Sequence, residues 1–148
     1  MKRIWLILMT VMMAAGLCSC GKESYRDGSY RAEAEAYDLN GWKEYLAVRV
    51  ENGKIVSADY DALNETDGRK KTEDAEYQEK YRAAGLGTDP ADTAARLTDS
   101  YLERQESGKV DAVSGATNSS RHFVQLAEAL EKRMKNGETG EIKVDLGE

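Results

Sequence analysis

Residues 111–120, Asp-Ala-Val-Ser-Gly-Ala-Thr-Asn-Ser-Ser, gather four hydroxyl side chains within seven positions: Ser114, Thr117, Ser119 and Ser120. A hydroxyl becomes a nucleophile when an adjacent base takes its proton. A hydrolase built on Ser114 or Thr117 would have to use His122, the only histidine. That residue falls in the first turns of a helical pattern beside Phe123, and no Gly-x-Ser-x-Gly elbow is present. A second chemistry needs no local base. Gly115 and Ala116 have almost no side chain, so another molecule can approach the backbone closely. Thr117 stands at or just before a helix start, where free N–H groups and the helix dipole favour a phosphate. Such a turn suits a phosphate that is cradled or one attached to a hydroxyl. Plain helix capping is the competing reading, since serine, threonine and asparagine are all preferred caps.

The elements that must hold this turn read as strands followed by helices. In residues 30–36 apolar and charged side chains alternate strictly, the period of a half-buried strand. Trp42, Leu46, Val48 and Val50 share one face of a second strand. Asn52-Gly53 is a strong hairpin signal, and residues 55–60 form the return strand. A two-residue turn sets Val50 opposite Ile55, Arg49 opposite Val56 and Tyr45 opposite Tyr60. Both faces then carry apolar side chains, so helices or loops are expected over part of each. A helix is expected from near Thr72, with Glu73 and Asp74 in its first turn, Tyr77 and Tyr81 on one face and Gly85 at its end. Asp89-Pro90 caps and opens a second helix, with Ala94, Leu97 and Tyr101 buried and Gly108 closing it. The last helix follows the hydroxyl-rich turn and turns Phe123, Leu126, Leu130 and Met134 to the core. Strands then helices predict an α+β fold: a three-stranded antiparallel β-meander packed with about three helices. The polar, glycine-rich stretch from Gly137 reads as a mobile tail, with an edge strand over residues 142–146 as the alternative.

The chain opens MKRIWLILMTVMMAAGLCSC. Lys2 and Arg3 precede an apolar run over residues 4–17, shorter than the ~20 residues that span a bilayer and matching a secretory leader. Ser19 offers a small residue before a cut at Cys20, whereas a cut at Cys18 would follow Leu17. The stretch resembles a bacterial lipobox with Cys20 lipidated; an ordinary signal peptide is the alternative. The expected layout is a leader over 1–19, a lipid-anchored tether over 20–27, one domain over 28–136 and the tail or edge strand over 137–148. Both cysteines lie at the leader junction, so the body has no thiol for disulfides, zinc or iron–sulfur ligation, and one histidine excludes histidine-rich metal sites. The formal charge of −6 becomes −8 without Lys2 and Arg3. An acidic body with no basic stripe points away from nucleic acid. It also leaves membrane attachment to the lipid.

Asp111-x-x-Ser114-Gly115-Ala116-Thr117 resembles the flavin-attachment motif of the FMN-binding domain family. That family includes the flavin-bearing small subunits of sodium-pumping quinone reductases and related electron-transport complexes, and lipoproteins of extracellular electron transfer. DGSY at 27–30, VRVENGKIVSADYD at 48–61, KKTEDAEYQEKY at 70–81 and SSRHFVQLAEAL at 119–130 are also similar to the family, so the resemblance covers residues 27–135. One departure is Asn118-Ser119-Ser120 where x-Thr-Ser is commoner. The resemblance implies a flavin transferase that takes FAD, with a metal ion, and joins FMN through its phosphate to Thr117. Asp111, Ser114, Gly115 and Ala116 would be its recognition sequence. Thr117 is then a substrate of another enzyme, and the missing base is expected. The implied function is an electron carrier rather than a stand-alone enzyme. It would sit at the cell membrane on the extracytoplasmic face and pass electrons from a membrane redox donor to an extracytoplasmic acceptor. The alternative is an envelope lipoprotein that binds a small molecule without covalent flavin. A flat ring needs stacking contacts, and Trp42, Tyr45 and Tyr60 are the candidates on the hairpin.

Overall fold

The computed structural model describes residues 24–147; Cys20 and its leader lie outside the described residues. Four strands, β1 (Gly28–Ala34), β2 (Trp42–Glu51), β3 (Lys54–Asn64) and β4 (Gly140–Val144), form one sheet in the order β3-β2-β1-β4. Three helices, α1 (Ala75–Ala83), α2 (Pro90–Arg104) and α3 (Thr117–Asn136), complete an α+β fold. The meander is present: β1 and β3 each run antiparallel to β2. The sheet is mixed, because β4 lies parallel to β1.

Of the two expectations for the C-terminal stretch, the edge strand holds and the mobile tail does not: β4 lies at the sheet edge, starting two residues before the expected 142–146. Its pairing sets Ile142 beside Ala32 and Val144 beside Ala34, and both side chains pack against the core. Lys143 turns to the other face and reaches Glu33 at 2.9 Å. Alternation over a few residues is enough to hold an edge strand when its neighbour's face is already buried.

The hairpin turn is as expected, with Asn52 and Gly53 at φ 51° and 74°, the left-handed pair of a type I′ turn. The register beyond it is not. Val50 faces Ile55, but Arg49 faces Ser57, Leu46 faces Tyr60 and Tyr45 faces Asp61. A β-bulge absorbs Val56, which stays 42% exposed. One extra residue reverses every side chain that follows. It brings Ala58, Tyr60 and Ala62 to the face that Ile55 shares with Leu46 and Val48, and it sets Tyr60 opposite Leu46 rather than opposite Tyr45, which the alternation of β2 leaves on the reverse face.

The helices pack on that shared face. Leu97 and Tyr101 of α2 and Phe123, Leu126, Leu130 and Met134 of α3 are completely buried. Phe123 meets Tyr60 and Tyr101 edge to face, with centroids 5.1 and 5.6 Å away. The reverse face is shielded by its own charged residues rather than by helices. The Arg31 guanidinium lies 3.9 Å above the Tyr45 ring, and Glu33 is paired with Lys43 and Lys143.

Helix ends differ from expectation where tertiary contacts take over. Lys71–Glu73 is a 3-10 turn, and α1 begins at Ala75 under an Asp74 cap whose carboxylate accepts from the Tyr77 amide. Asp89 and Pro90 open α2 as expected, its cap accepting from the Asp92 amide. α2 ends at Gln105, not at Gly108. Gln105 adopts φ 58°, and its side-chain amide pairs with both the N–H and the carbonyl of Ile55, at 2.7 and 2.8 Å. Those two bonds to β3 offset the left-handed strain that a glycine would avoid.

Candidate functional site

The turn between α2 and α3 is built by its buried members. Val113 and Ala116 are 3% and 5% exposed and belong to the core. The Ala116 amide donates to the Val113 carbonyl, closing the turn at 3.0 Å. Ser120, also buried, ties the turn to the helix. Its hydroxyl accepts from the Val113 amide at 3.0 Å and donates to the Ala116 carbonyl at 2.9 Å. Sequence reasoning saw in Ser120 a further hydroxyl and missed this role. The signal was its spacing: four residues beyond Ala116 on a helix, a small hydroxyl reaches back to the first carbonyl.

Gly115 has φ +84°, and a Cβ there would stand 2.1 Å from the Leu86 carbonyl oxygen. The close approach predicted at this glycine is therefore made by the protein's own α1–α2 connection and not by a foreign molecule. Asp111 is exposed; its amide donates to the Ser100 hydroxyl at 3.0 Å and its carboxylate sits 3.4 Å from Arg104.

Ser114 and Thr117 are exposed. Thr117 is the first residue of α3, and the cap position is Ala116, with no side chain capping the helix. The capping reading of Thr117 is thereby set aside, and its hydroxyl has no partner among the described residues. The first α3 bond runs from the Ser120 amide to the Ala116 carbonyl, so the amides of residues 117–119 precede the helical ladder. A hydroxyl beside three such amides, at the positive end of a 20-residue helix, suits an attached phosphate.

A cleft lies alongside, lined by Glu44, Tyr60, Lys71, Tyr81, Pro90 and Ser119. Its interior holds about 20 Å³, room for roughly one water. Pockets that bury drug-sized ligands run ~300–1,000 Å³, so a flavin ring would lie across the mouth rather than inside. The surfaces available to it are aromatic. Tyr81 stands 5.6 Å from Tyr77, and Tyr77 stands 5.6 Å from Trp42, with the Lys71 ammonium 4.5 Å above the Tyr77 ring. Both tyrosines are only half-buried. Their place on one face of α1 was legible, but at that spacing they read as core. Of the aromatic residues expected near a ring, Trp42 packs edge-on behind Tyr77 and is itself buried. Tyr60 lines the cleft, with its hydroxyl donating to the Ser119 carbonyl at 3.1 Å. Burial, with the Glu44 carboxylate adding to it, pushes the Tyr60 phenol well above its ordinary range. Tyr45 is excluded from the strip: next to Leu46 on β2, it points to the reverse face, under Arg31.

His122 does not serve the exposed hydroxyls. Its Nδ1 lies 2.7 Å from Glu44 Oε2 and its Nε2 lies 3.3 Å from Arg121 Nη2. Both ring nitrogens are engaged away from Ser114 and Thr117, which leaves the hydrolase reading without a base. Among the described residues no group of three histidine, cysteine, aspartate or glutamate side chains is arranged to hold a metal ion.

Residues 41–131, from the start of β2 well into α3, match the sequence profile of the FMN-binding domain family. The chain is 38% identical over 127 residues to a Treponema pallidum (strain Nichols) protein named 15 kDa lipoprotein, spanning 85% of this chain and 88% of that one. It also resembles a crystal structure of a Clostridium perfringens protein, with a TM-score of 0.79 at 36% identity over 83% of this chain and 99% of the other. A solution structure from Clostridium thermocellum aligns with a TM-score of 0.50 at 30% identity, over 80% of this chain and 96% of the other. The matched segment contains the whole turn that presents Thr117 on α3, together with Trp42, Tyr77 and Tyr81, and the chain belongs to the FMN-binding domain family.

Proposed function

We propose that this protein is an electron carrier whose FMN is joined through its phosphate to the Thr117 hydroxyl, and which is held to the cell membrane by lipid on Cys20. The observation that carries the reading is Thr117 itself: an exposed hydroxyl, engaged neither in capping nor with a base, on the family's attachment motif. In the attachment step the Thr117 oxygen forms a bond to the flavin-side phosphorus of FAD, the pyrophosphate P–O bond breaks and AMP leaves. The hydroxyl proton goes to a base of the flavin transferase. His122, the chain's one histidine, is engaged elsewhere and cannot take it. Bound FMN supplies reversible uptake and release of electrons. The chain's own residues orient it. The amides of residues 117–119 would hold the phosphate, and the half-buried Tyr77 and Tyr81 would offer the ring apolar surface beside the cleft. A ring bound beside the aromatic strip would remain open to a membrane donor and to an extracytoplasmic acceptor. The Treponema relative's name supports the lipid anchor.

The test is the mass of the denatured chain after co-expression with a flavin transferase. Wild type should gain one FMN and Thr117→Ala none. The fold of the variant should be unchanged, because the hydroxyl holds no hydrogen bond in the protein. Flavin mapped to Ser114 or Ser119, with Thr117 unmodified, would overturn the assignment. A wild type that stays unmodified would favour a binding module without covalent flavin.

A further inference from the structure

The face of α3 that carries Thr117 also carries an uncommitted cation. Residues four apart on a helix are neighbours. A helical side chain covers the turn that precedes its own Cα. Arg121 is thus the next side chain below Thr117, and its natural direction is back toward it. Most of the chain's cations are spent elsewhere. Seven described arginines lie within 4.0 Å of a carboxylate. Among the described residues only Arg26 and Arg121 have no such partner, and Arg26 packs against Gly137 at the opposite end of α3. Arg121 is exposed, and its guanidinium makes one contact, from Nη2 to the His122 Nε2 at 3.3 Å.

That contact defines the His122 ring. A carboxylate only accepts, so Nδ1 carries the hydrogen shared with Glu44, and Nε2 turns its lone pair to Arg121. The hydrogen bond occupies one of five guanidinium donors and neutralises no charge. A phosphodiester on Thr117 keeps one negative charge, and the helix amides supply only partial charges to meet it.

We propose that Arg121 is a phosphate-binding residue of the flavin site, contacting the phosphate that Thr117 carries and drawing its donor away from His122. The inference rests on the attachment reading above. It makes the Arg121–His122–Glu44 chain a link between the loaded hydroxyl on α3 and strand β2. Arginine suits the role because its planar fork meets two phosphate oxygens at once.

Phosphorus and histidine resonances of the full chain, co-expressed with a flavin transferase and held at one pH, test this. His122 is the only histidine, so its ring signals need no assignment. In wild type, loading should move the His122 ring signals, and the phosphodiester signal should differ from that of the denatured chain. In Arg121→Gln, loading should leave His122 in place and shift the phosphorus signal toward its denatured position. Occupancy at limiting transferase should fall about two- to fivefold, the scale of an exposed ion pair. Arg121→Lys should restore part of this, and Arg49→Gln on the reverse face should behave as wild type. A loaded Arg121→Gln with wild-type phosphorus signal and occupancy overturns the role of Arg121 and leaves attachment standing. A wild type that gains no FMN overturns both.

Discussion

Gly115→Ala separates a glycine kept for its backbone from one kept for space. Gly115 has φ +84°, a conformation that costs an L-residue about 1–2 kcal/mol. The new methyl would also stand 2.1 Å from the Leu86 carbonyl oxygen and 3.1 Å from its carbon. Both atoms are backbone, so relief requires moving the α1–α2 connection off the turn. Overpacking of this kind costs about 1–3 kcal/mol more. The sum, about 2–5 kcal/mol, is a large part of the roughly 5–15 kcal/mol that holds a typical domain together. At roughly 4 °C per kcal/mol for a domain of this size, the melting temperature should fall by about 8–20 °C. Gly87→Ala is the control. It has φ +70° with nothing within 4 Å of its Cβ, so only the backbone cost applies, about 4–8 °C. Thermal unfolding followed by circular dichroism reads both. If Gly115→Ala loses no more than Gly87→Ala, the seating of Leu86 on the turn contributes nothing and the structural account of this glycine is wrong.

Ser120→Ala removes the acceptor of the Val113 amide and leaves a buried N–H unpaired, at a cost of about 1–3 kcal/mol. A urea midpoint equal to wild type would show that the turn closes without it. Glu33 supplies a pH dependence. Burial alone would raise its pKa, but hydrogen bonds and charge from Lys43 and Lys143 outweigh burial and hold it at about 2. The folded value lies below the unfolded one, so its stabilisation is complete above about pH 4.5 and is lost as pH falls toward about 2. Glu33→Gln should be less stable at neutral pH and should lose less stability than wild type on acidification from pH 5 to pH 3; parallel losses would refute the pairing.

Much of the fold could be read from periodicity because one face is buried throughout. Leu97, Tyr101, Phe123, Leu126, Leu130 and Met134 keep helical spacing, and all are fully buried. Where reading failed, a tertiary contact decided. Nothing local marks Val56 as the bulged residue; the bulge is selected because it carries Tyr60 to Phe123 and so lengthens the core face. Gln105 ends α2 ahead of Gly108 because its side chain finds Ile55, fifty residues away in sequence. β4 is held by β1, more than a hundred residues earlier, and its five residues have too little pattern to announce that pairing alone. The pairing of Tyr77 and Tyr81 was visible as spacing. That they stay half-exposed beside the cleft depends on α1 lying at the periphery, with no fully buried residue of its own.

The hydroxyl-rich turn shows why a motif can be recognised before its residues are understood. Its members divide by burial. Val113, Ala116 and Ser120 are buried and Gly115 is fixed by Leu86, so these four are held by the fold whatever is attached. Ser114, Thr117 and Ser119 carry the remaining hydroxyls, and Thr117 is the exposed one on the helix, where the first amides are unpaired, Ser119 being half-buried in the cleft wall. A transferase meeting this turn would find one fully exposed hydroxyl on the helix, with Ser114 ahead of the helix and Ser119 half-buried. A cleft of about 20 Å³ cannot enclose the ring, so a cofactor tethered at Thr117, as proposed, would stay at the surface within reach of a partner. A deep pocket would hold free flavin by itself; under the proposed attachment, a cleft this small would leave the covalent bond to keep the cofactor, with its ring accessible in return.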